Sequence, residues 1–293
     1  MVHFGLIGYP LGHSLSPRLH TAALQELKLE GDYELFPVSP LPEGARSFGE
    51  LFERLRSGRL NGLNVTIPHK QSVIAWLDEL TPVARSVGAV NTIFRKQERL
   101  VGDNTDVPGF IADLKEVMEH GGRSAEPDPK PCTFHALVLG AGGAARAVSF
   151  ALDYIGWSVT MAARRLEQAE ELVKSMKLVN AINQEITVVM LNQSSIGDIK
   201  SEIRLVVNTT PLGMAPNVDA NPWPNGLTFP QRALVYDLVY NPPETALLRA
   251  AKAAGLYTTN GLGMLVEQAA LSFERWTGQP APRQAMRKAV TVI

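Results

Sequence analysis

The chain has a single cysteine, Cys132, so no disulfide can close within it, which suits a reducing cytosol. It has no apolar run approaching the ~20 residues that span a bilayer. Its first residues, MVHFGLIGYPLGHS, carry no basic n-region, and their apolar run is too short for a secretory signal. Neither sign of charge is in excess: the formal net charge is −1, so nothing invites nucleic acid or an anionic membrane. No repeat of solenoid period and no low-complexity tract is present. The expectation is a soluble, cytoplasmic globular protein, monomer or homodimer, with no nucleic-acid or membrane partner.

At 293 residues, 45% hydrophobic and 19% charged, the chain can bury a real core and is long enough for two domains. Strand-type and helix-type segments alternate almost throughout. VHFGLIG predicts a first strand, and a Gly/Pro turn leads to a helix over residues 17–27. GDYELFPV predicts a second strand. In GARSFGELFERLRS, Phe48, Leu51, Phe52 and Leu55 recur at helical spacing. LNGLNVTIP predicts a third strand, AVNTIFRK and RLVGDN a strand pair, and residues 107–120 a helix. GGRSAEPDPKPCT (121–133), rich in Gly, Pro and charge, is the best linker signal, although a plain surface loop has the same composition. After it, FHALVLGAGGAARAVSFALDYIGW predicts strand, glycine turn and helix, SVTMAARR a strand and LEQAEELVKSM a helix. EITVVML, IRLVVNTTP and ALVYDLVY predict three more buried strands, apolar enough for a parallel sheet covered on both faces. Three helices, the first with Gly255 as C-cap, complete an α/β chain with right-handed crossovers.

One stretch, Asn64–Lys70 (NVTIPHK), poses a local question. β-branched Val65, Thr66 and Ile67 suit a buried strand, Pro68 ends it, and Lys70 opens the next helix. On the residues alone, a solvated lysine explains Lys70 as well as a catalytic one does.

VLGAGGAARA sets Gly140, Gly142 and Ala145 in G-x-G-x-x-A register between a strand and a helix. Gly140 permits the tight turn, Gly142 lets the backbone approach a pyrophosphate, and Ala145 lets helix pack on strand. The helix N-terminus then offers free N–H groups to phosphates. A glycine turn in any doubly wound protein is the plainer reading. The following strand ends Ala162-Ala163-Arg164-Arg165, with no carboxylate for a ribose 2′-hydroxyl. Guanidinium groups pair with a 2′-phosphate that a carboxylate would repel, which favours NADP over the reading of two arginines at a solvated strand end.

In the first half, polar residues gather at strand ends: Ser14 and Ser16, then Asn64, Thr66 and Lys70, Asn91 with Thr92, and Asn104 with Asp106. Ser16 is explained as an N-cap with Pro17 at the first helical position, a duty Ser14 does not share. Singly, these residues fit local turn chemistry. Together, their hydroxyls, amides, ammonium and carboxylate suit a small polyhydroxylated acid.

The succession GYPLGHSLSP, NGLNVTIPHK, GAVNT, GDNTD, GAGGAAR, NTTPLGM, YDLVYNPPET and GLGMLVEQA resembles the shikimate dehydrogenase family, quinate/shikimate dehydrogenases included, nearly end to end. The resemblance implies two α/β domains with a cleft between them. Residues 1–103 plus 261–293 would bind substrate and carry the catalysis, and residues 104–260 would form an NADP-binding Rossmann domain. It implies that Ser14 and Ser16 bind the substrate carboxylate and that Asn64 and Thr66 touch the ring substituents. Lys70, Asn91, Asp106, Tyr240 and Gln268 would complete the substrate site. Gly140, Ala141, Gly142, Gly143 and Ala144 would lie at the cofactor phosphates, with Arg164 and Arg165 at the adenosine 2′-phosphate. Thr209, Met214, Leu238, Gly261 and Met264 would line the nicotinamide, and no metal is implied.

The implied activity is reversible NADPH-dependent reduction of 3-dehydroshikimate to shikimate, in chorismate and aromatic amino acid biosynthesis, with Lys70 as acid/base and Asp106 as its partner. Hydride reaching a carbonyl carbon leaves an alkoxide that needs a proton and nearby positive charge, and an ammonium group supplies both. Three features depart from the family pattern. Ala163-Arg164-Arg165 stands where strict NADP users often have N-R-T, His69 stands where Phe or Tyr is common, and the linker is longer than in compact members. Ser16, where a threonine accompanies quinate use, tilts the expectation toward shikimate, with a quinate-preferring or dual-specific dehydrogenase as the alternative. A non-catalytic NADP-binding sensor is the reading from another class, and the presence of both Lys70 and Asp106 argues against it.

Overall fold

The computed structural model describes residues 1–120, 134–178 and 184–291; residues 121–133, which the sequence suggested as a linker and which include Cys132, lie outside the described residues. The chain forms two units, Met1–Gly109 with Leu265–Ile293, and Phe110–Met264. Among the described residues no helix is long and apolar enough to cross a membrane.

In chain order the elements begin β1 (Val2–Gly8), α1 (Ser16–Glu26), β2 (Gly31–Pro37), α2 (Ala45–Arg56) and β3 (Gly62–Val65). They continue with β4 (Glu79–Leu80), α3 (Pro82–Val87), β5 (Thr92–Lys96), β6 (Arg99–Asp103) and α4 (Asp106–His120). The sheet of the first unit has the order β2-β1-β3-β5-β6-β4. β1 runs parallel to β2 and β3, whereas β5 is antiparallel to both β3 and β6, the strand pair expected from AVNTIFRK and RLVGDN. The apolar stripe of α2 buries Phe48, Leu51, Phe52 and Leu55 with Leu63, Val65, Ile93 and Leu100 of the sheet. Each such side chain contributes about 1.5–3 kcal/mol on leaving water.

NVTIPHK folds differently from its expected form. β3 stops at Val65, Ile67 is 71% exposed, and Lys70 lies in a turn ahead of a short 3-10 helix, Ser72–Trp76. β-branching suited this segment to a strand, but the last pair joining β3 to β1 is Val65 with Ile7, and beyond it the chain turns. That turn is held from two sides. Val90 N donates to the Lys70 carbonyl at 2.8 Å, and the buried His69 ring sets Nε2 2.7 Å from the Val38 carbonyl. His69, a departure from the family's usual Phe or Tyr, packs edge-on against Phe48.

The second unit adds β7 (His135–Leu139), α5 (Gly143–Tyr154), β8 (Ser158–Ala163), α6 (Leu166–Leu178) and β9 (Thr187–Met190). It continues through α7 (Gln193–Ile199), β10 (Ile203–Asn208), β11 (Leu234–Asp237), α8 (Ala246–Ala253) and β12 (Thr258–Asn260). Its sheet, β12-β11-β10-β7-β8-β9, is parallel at every pairing. Strand order reverses between β7 and β10, the switch point where doubly wound sheets bind ligands beyond their carboxyl ends. β7, β8, β10 and β11 are buried as expected. β9 is not, because an edge strand is covered on fewer sides.

Two last helices, α9 (Leu262–Thr277) and α10 (Arg283–Thr291), follow. In the first unit Trp276 of α9 stacks on Phe4 at 4.7 Å, and its Nε1 donates to the Ile93 carbonyl at 3.0 Å. These contacts fix α9 against β1 and β5 and so set the position of Gln268 two turns earlier.

Candidate active site

Because β5 is antiparallel to its neighbours, Asn64, Thr92 and Asp103 pair across the sheet in one row. Lys70, Asn91 and Asp106 lie just beyond that row. Lys70 Nζ donates to Asp106 Oδ2 at 2.6 Å, with the two side chains 26% and 13% exposed. Asn91 Nδ2 donates to Asp106 Oδ1 at 2.9 Å, so each carboxylate oxygen has a donor while the pair keeps some access to solvent. One turn after Asp106, Gly109 lets the backbone of α9 come close: a Cβ on Gly109 would lie 2.9 Å from Gln268 N and 3.0 Å from Gln268 Cβ. Gln268 Oε1 thereby comes 3.5 Å from Asn91 Nδ2, across 177 positions of sequence.

Asn64 is buried, and its carboxamide is engaged on both ends. Oδ1 accepts from the Tyr33 hydroxyl at 2.8 Å, while Nδ2 faces the Asn91 carbonyl, Thr92 Oγ1 and Ser272 Oγ at 3.2, 3.3 and 2.9 Å. Thr66 is half-buried. The capping expected of Ser16 is not found. α1 begins at Ser16, one residue earlier than the proline suggested, and Ser16 makes no capping bond. Ser14 Oγ instead accepts from Ser16 N at 3.3 Å.

Several residues of this site carry no signal in the sequence. Thr105, inside GDNTD, donates its backbone N–H to Asn91 Oδ1 at 2.7 Å and fixes that carboxamide. Ser272 of α9 joins Asn64, Thr92 and Thr105, yet in sequence it reads as one small residue on an apolar helix. Asp103 is buried against Thr81 and Arg275, while Asn104, which the sequence did set beside Asp106, accepts at Oδ1 from Val107 N at 3.3 Å at the start of α4. Tyr33 stacks on His20 with ring centroids 4.3 Å apart and planes 4° apart. Burial drives the His20 imidazole down to about 3 and raises the Tyr33 phenol.

The remaining expected residues belong to the second unit. Gly140, at φ +113°, turns the chain after β7, where a Cβ would meet Thr209 Oγ1 at 2.8 Å. Thr209 Oγ1 is itself bonded to the Leu139 carbonyl at 2.6 Å. Gly142 is the N-cap of α5 with no side chain capping it, and a Cβ on Gly142 or Gly143 would meet open space. Ala145 is fully buried, as its packing role requires. The α5 N-terminus therefore presents backbone N–H groups to an open approach, which fits a diphosphate. The Ala141 carbonyl accepts from Gln168 Nε2 at 3.1 Å, and Ala144 is exposed. Arg164 and Arg165 are exposed at the end of β8, as a 2′-phosphate site requires. Met214 is 46% exposed, Gly261 backs directly onto Leu238, and Met264 is half-buried in the first turn of α9. Tyr240 is half-buried, and burial raises its phenol above the ordinary range. Among the described residues no group of three or more His, Cys, Asp or Glu side chains could hold a metal ion.

Comparison with known proteins bears on both halves. The family model described as the shikimate dehydrogenase substrate binding domain matches residues 6–93, and that of the shikimate 5′-dehydrogenase C-terminal domain matches residues 261–291. The shikimate dehydrogenase (NADP(+)) of Salinibacter ruber is 43% identical over 97% of this chain and 95% of its own length. The chain belongs to the shikimate dehydrogenase family. Another member, from Desulforamulus reducens, is 41% identical over 97% of this chain and 92% of its own length. The fold follows the family too. The Thermus thermophilus shikimate 5-dehydrogenase, crystallised with NADP(H) and shikimate, superposes with a TM-score of 0.81 at 39% identity, covering 99% of this chain and 98% of that one.

Proposed function

We propose that this chain is a cytoplasmic NADP-dependent oxidoreductase that reversibly reduces 3-dehydroshikimate to shikimate, a step of chorismate and aromatic amino acid biosynthesis. The observation that carries the reading is the 2.6 Å pair of Lys70 and Asp106, partly open to solvent, with Asn91 bonded to Asp106 and Gln268 beside Asn91. When bound, NADPH supplies the hydride. Lys70 donates a proton to the substrate oxygen that becomes negative as the carbonyl is reduced, and in oxidation it takes the hydroxyl proton back. Asp106 holds the Lys70 ammonium in place and accepts from a ring hydroxyl. Ser14 and Ser16 bind the substrate carboxylate, Asn64, Thr66, Asn91 and Gln268 bind the ring substituents, and Tyr240 is a further substrate-binding residue. The backbone at Gly140, Ala141, Gly142, Gly143 and Ala144 holds the cofactor diphosphate. Arg164 and Arg165 hold the 2′-phosphate, and Thr209, Met214, Leu238, Gly261 and Met264 flank the nicotinamide.

The test is Lys70→Ala, assayed for shikimate oxidation with NADP. The folded variant should lose about a hundredfold or more in kcat, the scale of general acid–base catalysis. Turnover at the wild-type rate would remove Lys70 from the mechanism. The ratio of kcat/KM for shikimate to that for quinate decides between the shikimate and the dual-specific reading.

A further inference from the structure

Asn64 is the residue of the proposed site whose hydrogen bonds are most fully accounted for, and the accounting has a direction. The Asn91 carbonyl, 3.2 Å away, can only accept, so the carboxamide must turn Nδ2 toward it. The two Nδ2 hydrogens then serve three acceptors: that carbonyl, Thr92 Oγ1 and Ser272 Oγ. No donor is left over. Oδ1, on the other side, has two lone pairs, and the Tyr33 hydroxyl takes one, while neither ring nitrogen of the buried His20 makes a hydrogen bond to it. Tyr33 has little freedom to do anything else. It is 8% exposed, and its ring lies flat on His20, which is fully buried and also packs near Trp276 and Phe273.

We infer that Tyr33 is a positioning residue for the substrate: its phenol locks the Asn64 carboxamide so that Asn64 presents one free acceptor lone pair and no donor. The inference rests on the proposed contact between Asn64 and the substrate ring. An acceptor of this kind selects a ring hydroxyl, which can donate, and gives nothing to a keto or ether oxygen at the same ring position. Losing the Tyr33 hydroxyl would remove the bond that holds Oδ1 and leave the carboxamide fixed at its Nδ2 end alone, with the aromatic stack intact.

Tyr33→Phe, Asn64→Ala and the double variant are compared with wild type for kcat, for KM toward shikimate and NADP, and for thermal midpoint. Tyr33→Phe should raise the KM for shikimate about tenfold, one good hydrogen bond. Its kcat and KM for NADP should stay within about twofold. Asn64→Ala should raise the KM for shikimate at least as much, and adding Tyr33→Phe to it should change nothing further. The inference is overturned if Tyr33→Phe leaves the KM for shikimate unchanged, or if its effect multiplies in full with that of Asn64→Ala. It is equally overturned if both KM values rise together with a fall in thermal midpoint, the signature of a merely structural residue. An Asn64→Ala enzyme with wild-type KM for shikimate would instead refute the contact on which the inference stands.

Discussion

Replacing His20 with phenylalanine should remove a specific, calculable part of this protein's acid sensitivity. The His20 imidazole is fully buried, stacked on Tyr33 and held by burial near a pKa of about 3, against 6.5 for a free histidine. The folded protein therefore keeps His20 neutral while the unfolded chain binds a proton below pH 6.5, so the group costs nothing above that value and the fold loses stability as pH falls below it. Each pH unit in this window costs about 1.4 kcal/mol. Integrated from pH 7.5 to pH 5.0, the loss is about 2 kcal/mol, and it continues until pH approaches 3. Phenylalanine keeps the stack and carries no proton. Urea unfolding at the two pH values should thus show the stability gap between wild type and His20→Phe shifting by about 2 kcal/mol in favour of the variant at pH 5.0. The His20 ring resonances of the folded protein should stay at their neutral position over the same range. A gap that is the same at both pH values, or a ring that titrates near 6.5, would refute the reasoning.

Two further outcomes follow from particular contacts. Changing Arg164 and Arg165 together to alanine should raise the KM for NADP by about tenfold or more, with KM for NAD moving less than about twofold, because only NADP carries the charge they pair; equal effects on both would show that the arginines serve another purpose. Gly109→Ala would put a methyl group 2.9 Å from the Gln268 backbone, so it should cost about 1–3 kcal/mol in unfolding experiments and raise the KM for shikimate as Gln268 moves; an unshifted KM would separate Gln268 from the substrate.

The sequence was most legible where a single local rule decides the outcome. The stripe of Phe48, Leu51, Phe52 and Leu55 named both the helix and its buried face, and Gly140 named a turn that only a positive φ can make. It was least legible where two local rules compete. Ile67 has strand chemistry but stands 71% exposed beyond the last paired residue of β3. Ser16-Pro17 looks like cap and first residue, yet the helix takes in Ser16 and leaves the bond to Ser14. Tyr33 and Ser272 were invisible because their meaning lies in contacts with Asn64 across 31 and 208 positions, which no local pattern encodes.

The two sheets reach their chemistry by opposite means, and strand direction explains why. In the parallel sheet of the second unit every strand delivers its following loop to the same edge, so what collects there is turn backbone: Gly140 after β7, Arg164 after β8, Thr209 after β10. Backbone N–H groups and strand-end arginines suit an anionic cofactor, whose phosphates need positive ends more than shaped side chains. In the first unit β5 runs against its neighbours. The residue entering β5, Asn91, therefore meets the residues leaving β3 and β6, Lys70 and Asp106, and three loops of unlike chemistry converge. A carboxylate can then be held 2.6 Å from an ammonium and 2.9 Å from a carboxamide by a row of sheet pairs beneath them. That is the fixed geometry proton transfer to a substrate oxygen demands. On this argument the role proposed for Lys70 depends on the reversed strand beside it as well as on its ammonium group.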